Sequence, residues 1–473
     1  MHKNNISKLI LISVDFFSLV VALFFSHFIL FSVSSNPENY IPVEEKTNYL
    51  LIHFLVSLSC IIWFLIKLRH YTYRKPFWFE LKEILQTLSI FFIIELSIMA
   101  LSKLYISRTF WLSVWGAIFL LFPSIRILIK IILIKTGIYI KDSVIIGSGK
   151  NAEDVFQALN EEKFLGLNIH LFVSTDDSIG AKKILGVPIA RHNPELLLKI
   201  VDPKFTQFIL AMDEENKEKQ DFWLRFLISK GCRSISVIPE LRGIPLYGTD
   251  MAFLFSHEVV LFRVNNNLAK RSSKLLKRAF DIIGSIFLII ILSPIFLILY
   301  FLVKKDGSVA IYRHTRIGQF KKTFECLKFR TMKPNSSEIL KNLLEHDPIA
   351  QKEWEKDFKL KNDPRITHIG RFLRETSLDE LPQLWNVLKG EMSLVGPRPI
   401  VKDELAYYQD DIDYYLMAKP GMTGLWQVSG RNNVDYETRV YFDTWYAKNW
   451  SLWNDIVILF KTIKVVINRN GAY

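Results

Sequence analysis

Two adjacent carboxylates, Asp379 and Glu380, stand in a part of the chain that is rich in basic residues. Lysine and arginine side chains supply the point charges and forked donors that bind oxyanions. Carboxylates held among such cations can provide a nucleophile and a ligand for a divalent metal in phosphoryl transfer. The cations in this region are Lys328, Arg330, Arg365, Arg371, Arg374, Arg398 and Arg431.

The same carboxylates also allow a purely structural interpretation. Ser377 and Glu380 have the spacing of a capping box, and the apolar residues that follow fall on one face of a helix. Acidic residues in a first helical turn stabilise the helix dipole without taking part in chemistry. From spacing alone, the helix cap and the reactive pair both stay open.

Glycine-punctuated loops follow the carboxylates. One is the Gly-Pro-Arg-Pro motif at 396–399, and the other is the segment 419–431. Glycine allows the backbone to come close to a bound nucleotide. These loops are therefore candidates for binding a phosphorylated ligand.

Four long apolar runs precede this chemistry, at 9–33, 49–68, 84–105 and 110–134. Each is long enough to cross a bilayer, which takes about 20 residues. The loop between the first two runs is acidic and the loop between the second and third is basic, which places the second loop and both ends of the bundle in the cytoplasm. We expect a plain anchor without a buried charged relay, with Glu95 as the one exception.

A fifth apolar run at 279–303 has basic residues on both sides. Its length would allow a straight span, whereas the two positive flanks favour the cytoplasm for both of its ends. Ser293 and Pro294 lie near its middle, and proline removes a helical donor and can bend the helix. We expect a re-entrant helix that breaks at these residues, with a straight fifth span as the alternative.

Between the bundle and this helix, short apolar runs alternate with charged helical stretches, which predicts a cytosolic α/β domain of Rossmann-like type. A strand at 143–146 is followed by Gly147, Gly149 and Ala152 in a G-x-G-x-x-A turn. The turn could bind a diphosphate, with Asp176 or Asp177 near a ribose, but tight packing without a ligand is the favoured interpretation. The segment 242–266 could form a hairpin or a contact between subunits.

The composition of the whole chain limits the classes of function. It has 473 residues, of which 50% are hydrophobic, and a net charge of +13. This excludes a disordered chain and favours anionic partners such as lipid headgroups or phosphorylated substrates. We expect no nucleic acid to bind, because no recognition motif accompanies the charge. Three widely separated cysteines predict neither a disulfide framework nor a thiolate zinc site.

The segment 277–473 resembles the catalytic domain of the bacterial sugar transferases, the monotopic polyprenol-phosphate phosphoglycosyl transferases. The resemblance rests on the motifs at 376–382, 396–399 and 419–431 together. The four apolar runs, the α/β segment and the motif at 69–78 are similar to the large members of that family. The resemblance implies three parts: a membrane bundle (1–140), a Rossmann-like domain (141–265) and an α-rich monotopic catalytic domain (266–473).

The resemblance also implies roles for individual residues. Asp379 would attack the β-phosphate of a UDP-sugar, release UMP and hold the phosphosugar covalently, while Mg²⁺ would bridge Asp379, Glu380 and the diphosphate. The family's basic positions fall on Lys328, Arg374 and Arg398, and its later acidic position falls on Asp443. Arg330 and Arg431 are further candidates for binding the substrate.

The expected reaction transfers a hexose 1-phosphate from a UDP-sugar to undecaprenyl phosphate, as the first step of O-antigen or capsule glycan synthesis. Galactose 1-phosphate is the expected group and glucose 1-phosphate the alternative. We expect a multi-pass protein of the bacterial inner membrane, acting at the cytoplasmic face as a homodimer. The rival from another class is a non-catalytic membrane scaffold for polysaccharide assembly.

Overall fold

The structure is a computed structural model, and its chain divides into two compact units, 1–242 and 243–473. The structure describes residues 3–33, 40–175, 183–191, 193–213, 217–239, 250–253, 260–263, 267–305, 308–347, 350–351, 354, 360, 363–429 and 435–467.

The first unit begins with four long helices that follow the four predicted apolar runs. They are α1 (Lys3–Val33), α2 (Val43–Ile66), α3 (Phe77–Leu101) and α4 (Arg108–Lys135). All four are long and apolar enough to cross a membrane. The third begins seven residues before the predicted start at 84, because its first two turns carry acidic residues that a hydropathy reading excludes.

A cluster of buried charges lies among these helices. The Arg126 guanidinium on α4 lies 2.6 Å from an Asp15 carboxylate oxygen on α1 and 2.9 Å from a Glu80 oxygen on α3. Lys130 pairs with Glu80 at 2.6 Å, and the Tyr71 hydroxyl donates to Asp15 at 2.7 Å. The expectation of a bundle without a buried charged relay is therefore wrong. Arg126 and Lys130 lie in one apolar run, Asp15 lies in another and Glu80 precedes a third, so only helix packing brings the opposite charges together.

Glu95, the one exception named from sequence, also has a buried partner. Its carboxylate lies 3.1 Å from Nδ1 of His53 on α2. Both side chains are almost fully enclosed, as expected for a polar pair inside an apolar bundle.

The motif at 69–78 joins the bundle to the α/β domain that follows it. On one side, Nδ1 of His70 accepts a hydrogen bond from the Arg126 guanidinium at 3.1 Å. On the other side, Arg74 donates to the carbonyl oxygens of Leu165 and Gly166 at 2.8 and 2.7 Å. Gly166 has φ of +58° and lies against the Arg74 side chain, where a larger residue would be strained.

The rest of the first unit is a six-stranded mixed sheet with the strand order β3-β4-β2-β1-β5-β6. All the neighbouring pairs are parallel except β3 with β4. The elements are β1 (Lys141–Ile146), α5 (Lys150–Glu161), β2 (Leu167–Val173), β3 (Lys183–Ile184), β4 (Val187–Ala190), α6 (Pro194–Ile200), β5 (Gln207–Leu210), α7 (Lys217–Ser229) and β6 (Ile235–Val237).

At the glycine-rich turn, a carboxylate of the chain itself occupies the beginning of α5. Asp213 follows β5, and its Oδ1 accepts the Asn151 backbone N–H at 3.0 Å. A Cβ atom on Gly149 would collide with this carboxylate. The helix N-terminus thus has an internal anionic partner, as the helix dipole favours. Asp176 and Asp177 lie outside the described residues.

The second unit contains the remaining elements. They are β7 (Asp250–Phe253), β8 (Val260–Arg263), α8 (Arg271–Lys304), β9 (Ile311–Ile317), β10 (Thr323–Phe329), α9 (Ser336–His346), α10 (His368–Thr376), α11 (Gln383–Lys389), β11 (Ser393–Val395), α12 (Ile412–Met417), β12 (Gly421–Thr423), α13 (Leu425–Ser429), α14 (Tyr436–Lys448) and α15 (Leu452–Ile467). The strands β7 and β8 pair antiparallel, which agrees with the hairpin, one of the two interpretations of 242–266.

The fifth apolar run forms α8, a helix that is continuous through Ser293 and Pro294, so the helix break predicted at these residues is absent. Proline removes one backbone donor, and the helix continues without that hydrogen bond. The Ser293 hydroxyl donates to the carbonyl oxygen of Ile290 at 2.8 Å. The helix is long and apolar enough to cross a membrane. The following large apolar side chains of α8 are exposed: Ile283, Ile286, Phe287, Ile290, Ile291, Ile295, Leu297, Ile298, Phe301 and Leu302.

The first prediction concerns the buried charges of the bundle. Arg126→Ala leaves the Asp15 and Glu80 carboxylates without their shared partner, and breaking a buried pair costs about 3–5 kcal/mol. The melting temperature in detergent should fall by roughly 10 °C. Arg108→Ala is the control, because Arg108 lies on the same helix and is exposed. A melting temperature equal to that of the control would contradict this account of the cluster.

Candidate functional site

Asp379 and Glu380 lie in a 3₁₀ turn, Leu378–Glu380, between α10 and α11. The predicted capping box is wrong: Ser377 has φ of +57° and its side chain makes no cap hydrogen bond. Its backbone N–H instead closes the end of α10. Because α11 begins only at Gln383, after Pro382, the two carboxylates are separate from the first turn of that helix.

Lys328 lies beside both carboxylates. Its Nζ is 2.7 Å from Oε1 of Glu380 and 3.9 Å from Oδ2 of Asp379. The Asp379 side chain is 14% exposed, whereas Glu380 is 32% exposed. Burial raises the pKa of Asp379 to about 6, although Lys328 acts to lower it. Burial of the Lys328 amine acts to lower its pKa, but the negative charges of Glu380 and Asp379 outweigh burial and raise it.

Arg374 brings a second cation to Asp379 from the last turn of α10. Its Nε donates to the hydroxyl of Thr331 at 2.9 Å, and its positive charge lowers the pKa of Asp379. No motif in the sequence indicated a role for Thr331, which simply follows the basic segment 328–330. Arg365, another of the predicted cations, pairs with Asp363 at 2.6 Å.

Arg330 points to different partners. Its guanidinium donates to the carbonyl oxygens of Val309, Met332 and Val303, at 2.9, 3.0 and 3.1 Å. Val303 is near the C-terminal end of α8, so Arg330 fastens that end of the helix to the strand that carries Lys328.

Arg398 lies in the loop after β11, over the ring of Trp426 at 5.6 Å from the ring centroid. Arg439 lies over the same ring at 5.1 Å. The buried Tyr415 hydroxyl donates to the Arg398 carbonyl at 2.9 Å and fixes this loop. Sequence reasoning did not single out Tyr415 or Arg439. Trp426 stood inside the glycine-rich motif, which could have indicated it.

Asp443 is buried on α14, where it accepts a hydrogen bond from the Tyr408 hydroxyl at 2.8 Å. Burial raises its pKa to about 7 from an ordinary value of 3.8. The positive charges of Arg398 and Arg439 act in the opposite direction. Asp443 therefore belongs to the surroundings of Arg398. Arg431 lies outside the described residues.

The arrangement provides a shielded carboxylate, two cations and a neighbouring acid. Carboxylate oxygens suit Mg²⁺, which protein sites often bind through one or two carboxylates together with substrate phosphates. Within the part of the chain that the structure describes, no group of three or more potential ligands forms a complete metal site. Asp379 and Glu380 thus fit a metal that a substrate shares, and not a closed protein cage.

Fold and site together define a membrane-bound enzyme of the group-transfer class. The bacterial sugar transferase family model matches residues 272–469. The chain is 57% identical to an uncharacterized sugar transferase of Haemophilus influenzae over the full length of both proteins. It is 55% identical to the UDP-galactose-lipid carrier transferase of Erwinia amylovora, over 92% of this chain and 90% of that protein.

A third relative is the undecaprenyl-phosphate galactose phosphotransferase of Salmonella typhimurium. It is 53% identical over 100% of this chain and 98% of its own length. The chain belongs to the bacterial sugar transferase family. The resemblance seen in the sequence motifs is thereby confirmed.

The second prediction is a pH dependence of stability that arises from Asp443. Because its folded-state pKa lies above the ordinary value, the folded protein binds more protons than the unfolded chain between about pH 4 and 7. Ionisation of Asp443 therefore lowers stability as pH rises through this window. The melting temperature of Asp443→Asn minus that of the wild type should be roughly 5 °C larger at pH 8 than at pH 5.

The matched control for this measurement is Asp413→Asn, because Asp413 is an exposed carboxylate in the same unit. Its difference from the wild type should not change between the two pH values. An equal difference at pH 5 and pH 8 for Asp443→Asn would show that Asp443 is ionised throughout.

Proposed function

We propose that this protein transfers galactose 1-phosphate from a UDP-sugar to undecaprenyl phosphate and releases UMP. The observation that carries the proposal is the shielded Asp379 carboxylate beside Lys328 and Arg374, in a domain fastened to an apolar helix. The names of the Erwinia and Salmonella relatives, matched over nearly the whole chain, support the lipid carrier and the sugar. Glucose 1-phosphate remains the alternative group.

In the proposed first step, an oxygen of the ionised Asp379 attacks the β-phosphorus of the UDP-sugar. The bond from that phosphorus to the bridging oxygen breaks, and UMP leaves with the electron pair. The sugar phosphate is then held as an acyl phosphate on Asp379. Lys328 and Arg374 stabilise the charge that accumulates on the phosphate oxygens.

In the second step, a phosphate oxygen of undecaprenyl phosphate attacks the phosphorus of the acyl phosphate. The bond to Asp379 breaks, the carboxylate is regenerated, and a lipid-linked diphosphate sugar is formed. The attacking oxygen is already anionic, so this step requires no general base. Charge balance instead requires the cations of the site. We assign to Arg398, which lies over the Trp426 ring, the binding of the nucleotide part of the donor.

Mg²⁺ is the proposed cofactor, and Asp379 with Glu380 would hold it. When bound, it would neutralise and polarise the diphosphate of the donor. Lys328 already neutralises Glu380 in the protein alone. Asp379 and Glu380 can therefore accept a cation only together with an anionic substrate. This suits a metal ion that arrives bound to the nucleotide.

The third prediction tests the nucleophile. Protein incubated with UDP-galactose and Mg²⁺, without a lipid acceptor, should gain one hexose phosphate on Asp379, as measured by peptide mass spectrometry. Asp379→Asn should give no adduct and lose activity at least about 1000-fold. EDTA should suppress the adduct in the wild type. Wild-type turnover by Asp379→Asn would refute the nucleophile, and an undiminished adduct in EDTA would refute the metal.

We further propose that α8 enters and leaves one leaflet, with the catalytic domain at the cytoplasmic face of the inner membrane. Contacts on both sides of Pro294 support this topology. Before it, Asp281 accepts the Leu394 backbone N–H at 3.1 Å. After it, Phe296 packs on Phe329 with the ring centroids 5.0 Å apart.

A straight helix would separate Asp281 from Val303 by about 33 Å along its axis. The polar domain that contacts both ends would then have to extend through the bilayer, where unsatisfied backbone groups cost several kcal/mol each. With both ends at one surface, the exposed apolar side chains in the middle of α8 are covered by lipid. The homodimer and the Rossmann-like character of the α/β domain stay predictions.

The fourth prediction tests this topology with single cysteines at Lys270 and Lys305, in a chain lacking Cys60, Cys232 and Cys326. Both positions are exposed and flank α8. In whole cells both should resist a membrane-impermeant thiol reagent, and in inverted vesicles both should react. A cysteine at Lys103, in the loop between α3 and α4, is the control and should react in whole cells. Labelling of Lys305 from outside would refute the re-entrant helix.

A further inference from the structure

Asn386 on α11 is a buried polar side chain with three partners and no role in the proposed chemistry. It is 1% exposed. Its Oδ1 accepts the Leu327 backbone N–H at 3.0 Å, and its Nδ2 donates to the Glu325 carbonyl at 2.7 Å. The same amide group donates to Oε2 of Glu391 at 2.7 Å.

These bonds complete the edge of β10 that faces away from β9. The Glu325 carbonyl and the Leu327 N–H point away from β9. Arg330 has the opposite parity in the chain, and its N–H donates to the carbonyl of Ala310 on the β9 side. Asn386 thus takes the place of a neighbouring strand, with one acceptor and one donor for two backbone groups of β10.

The position of Asn386 connects the two halves of the site. Lys328 is the next residue after Leu327 on β10, and Asp379 and Glu380 stand just before α11. The ion pair from Lys328 to Glu380 joins β10 to the 3₁₀ turn that leads into α11. Asn386 joins β10 to α11 itself. On the other side, Arg278 of α8 donates to the carbonyls of Val387 and Leu388 and holds α11 from the membrane side.

The chemistry of the partners requires an amide at this position. Leu327 offers only a donor, whereas the Glu325 carbonyl and the Glu391 carboxylate offer only acceptors. A carboxylate of the same shape could accept from Leu327, but its second oxygen would meet two acceptors. Glu391 accepts a further hydrogen bond from Nδ2 and therefore favours the same orientation of the Asn386 amide.

We propose that Asn386 is a positioning residue for the transfer reaction. It keeps the Lys328 amine within ion-pair distance of Asp379 and Glu380. Glu391 helps to orient the Asn386 amide. This inference rests on the proposed function, because it assumes that Lys328 and Asp379 act on the substrate. It adds a residue that acts through Lys328 and touches no substrate itself.

The test uses a charge change and its compensation. Asn386→Asp should lower kcat/KM for UDP-galactose at least about tenfold, because the new carboxylate oxygen faces Glu391 and the Glu325 carbonyl. Adding Glu391→Gln supplies an amide donor to the new carboxylate. The double variant should recover at least about threefold over Asn386→Asp but not fully, because the Glu391 charge is removed while the Glu325 carbonyl still faces the carboxylate. Glu391→Gln alone should stay close to the wild type, since its side-chain oxygen still accepts from Asn386.

Val387→Ala is the matched control, because Val387 is fully buried on the same short helix and its side chain makes no polar contact with β10. It should lower the melting temperature as much as Asn386→Asp while keeping kcat/KM within about twofold. Full activity of Asn386→Asp would overturn the proposal. So would failure of the double variant to recover, or an equal loss of kcat/KM in Val387→Ala.

Asp379→Asn, measured in the same assay, separates this inference from the proposed function. If Asp379→Asn is inactive and Asn386→Asp is fully active, only the positioning role of Asn386 is refuted. If Asp379→Asn keeps its turnover, the proposed site itself is wrong, and both ideas are refuted together.

Discussion

A charge that leaves water must find a partner, and both units of this protein are organised around that constraint. In the bundle, Arg126 is shared between Asp15 and Glu80. In the second unit, the shielded Asp379 lies beside Lys328, whose pairing with Glu380 leaves the site balanced until an anionic substrate arrives. The same requirement therefore stabilises the membrane helices and prepares the site for phosphate.

The second unit solves a further problem, the attachment of an apolar helix to a polar domain. Lys277, at the start of α8, pairs with the buried Asp455 at 2.6 Å and donates to the Val395 carbonyl at 2.9 Å. One turn later, Asp281 binds Ser393 and Leu394. In the sequence, Lys277 is one of the basic residues that precede the fifth apolar run. In the structure it binds the end of β11, which leads into the Arg398 loop. The position of the helix is thus coupled to the position of the Arg398 loop.

Local signals in the sequence predicted the elements, and long-range contacts decided the rest. Apolar runs identified α1 to α4 and α8, and family motifs brought Lys328 and the two carboxylates together correctly. The pair of Arg126 with Asp15 could not be predicted, because the partners are 111 residues apart and lie in different apolar runs. The capping box failed because Pro382 delays the start of α11, and the direction of the Arg330 side chain depends on where α8 ends.

Asp213 gives the α/β domain an unusual property. Its carboxylate is covalently tethered to the chain and already bound at the start of α5, so its effective concentration at that helix end is in the millimolar range or above. A free nucleotide would have to displace this built-in competitor before its diphosphate could approach. The domain thus supplies its own anionic partner to the start of α5.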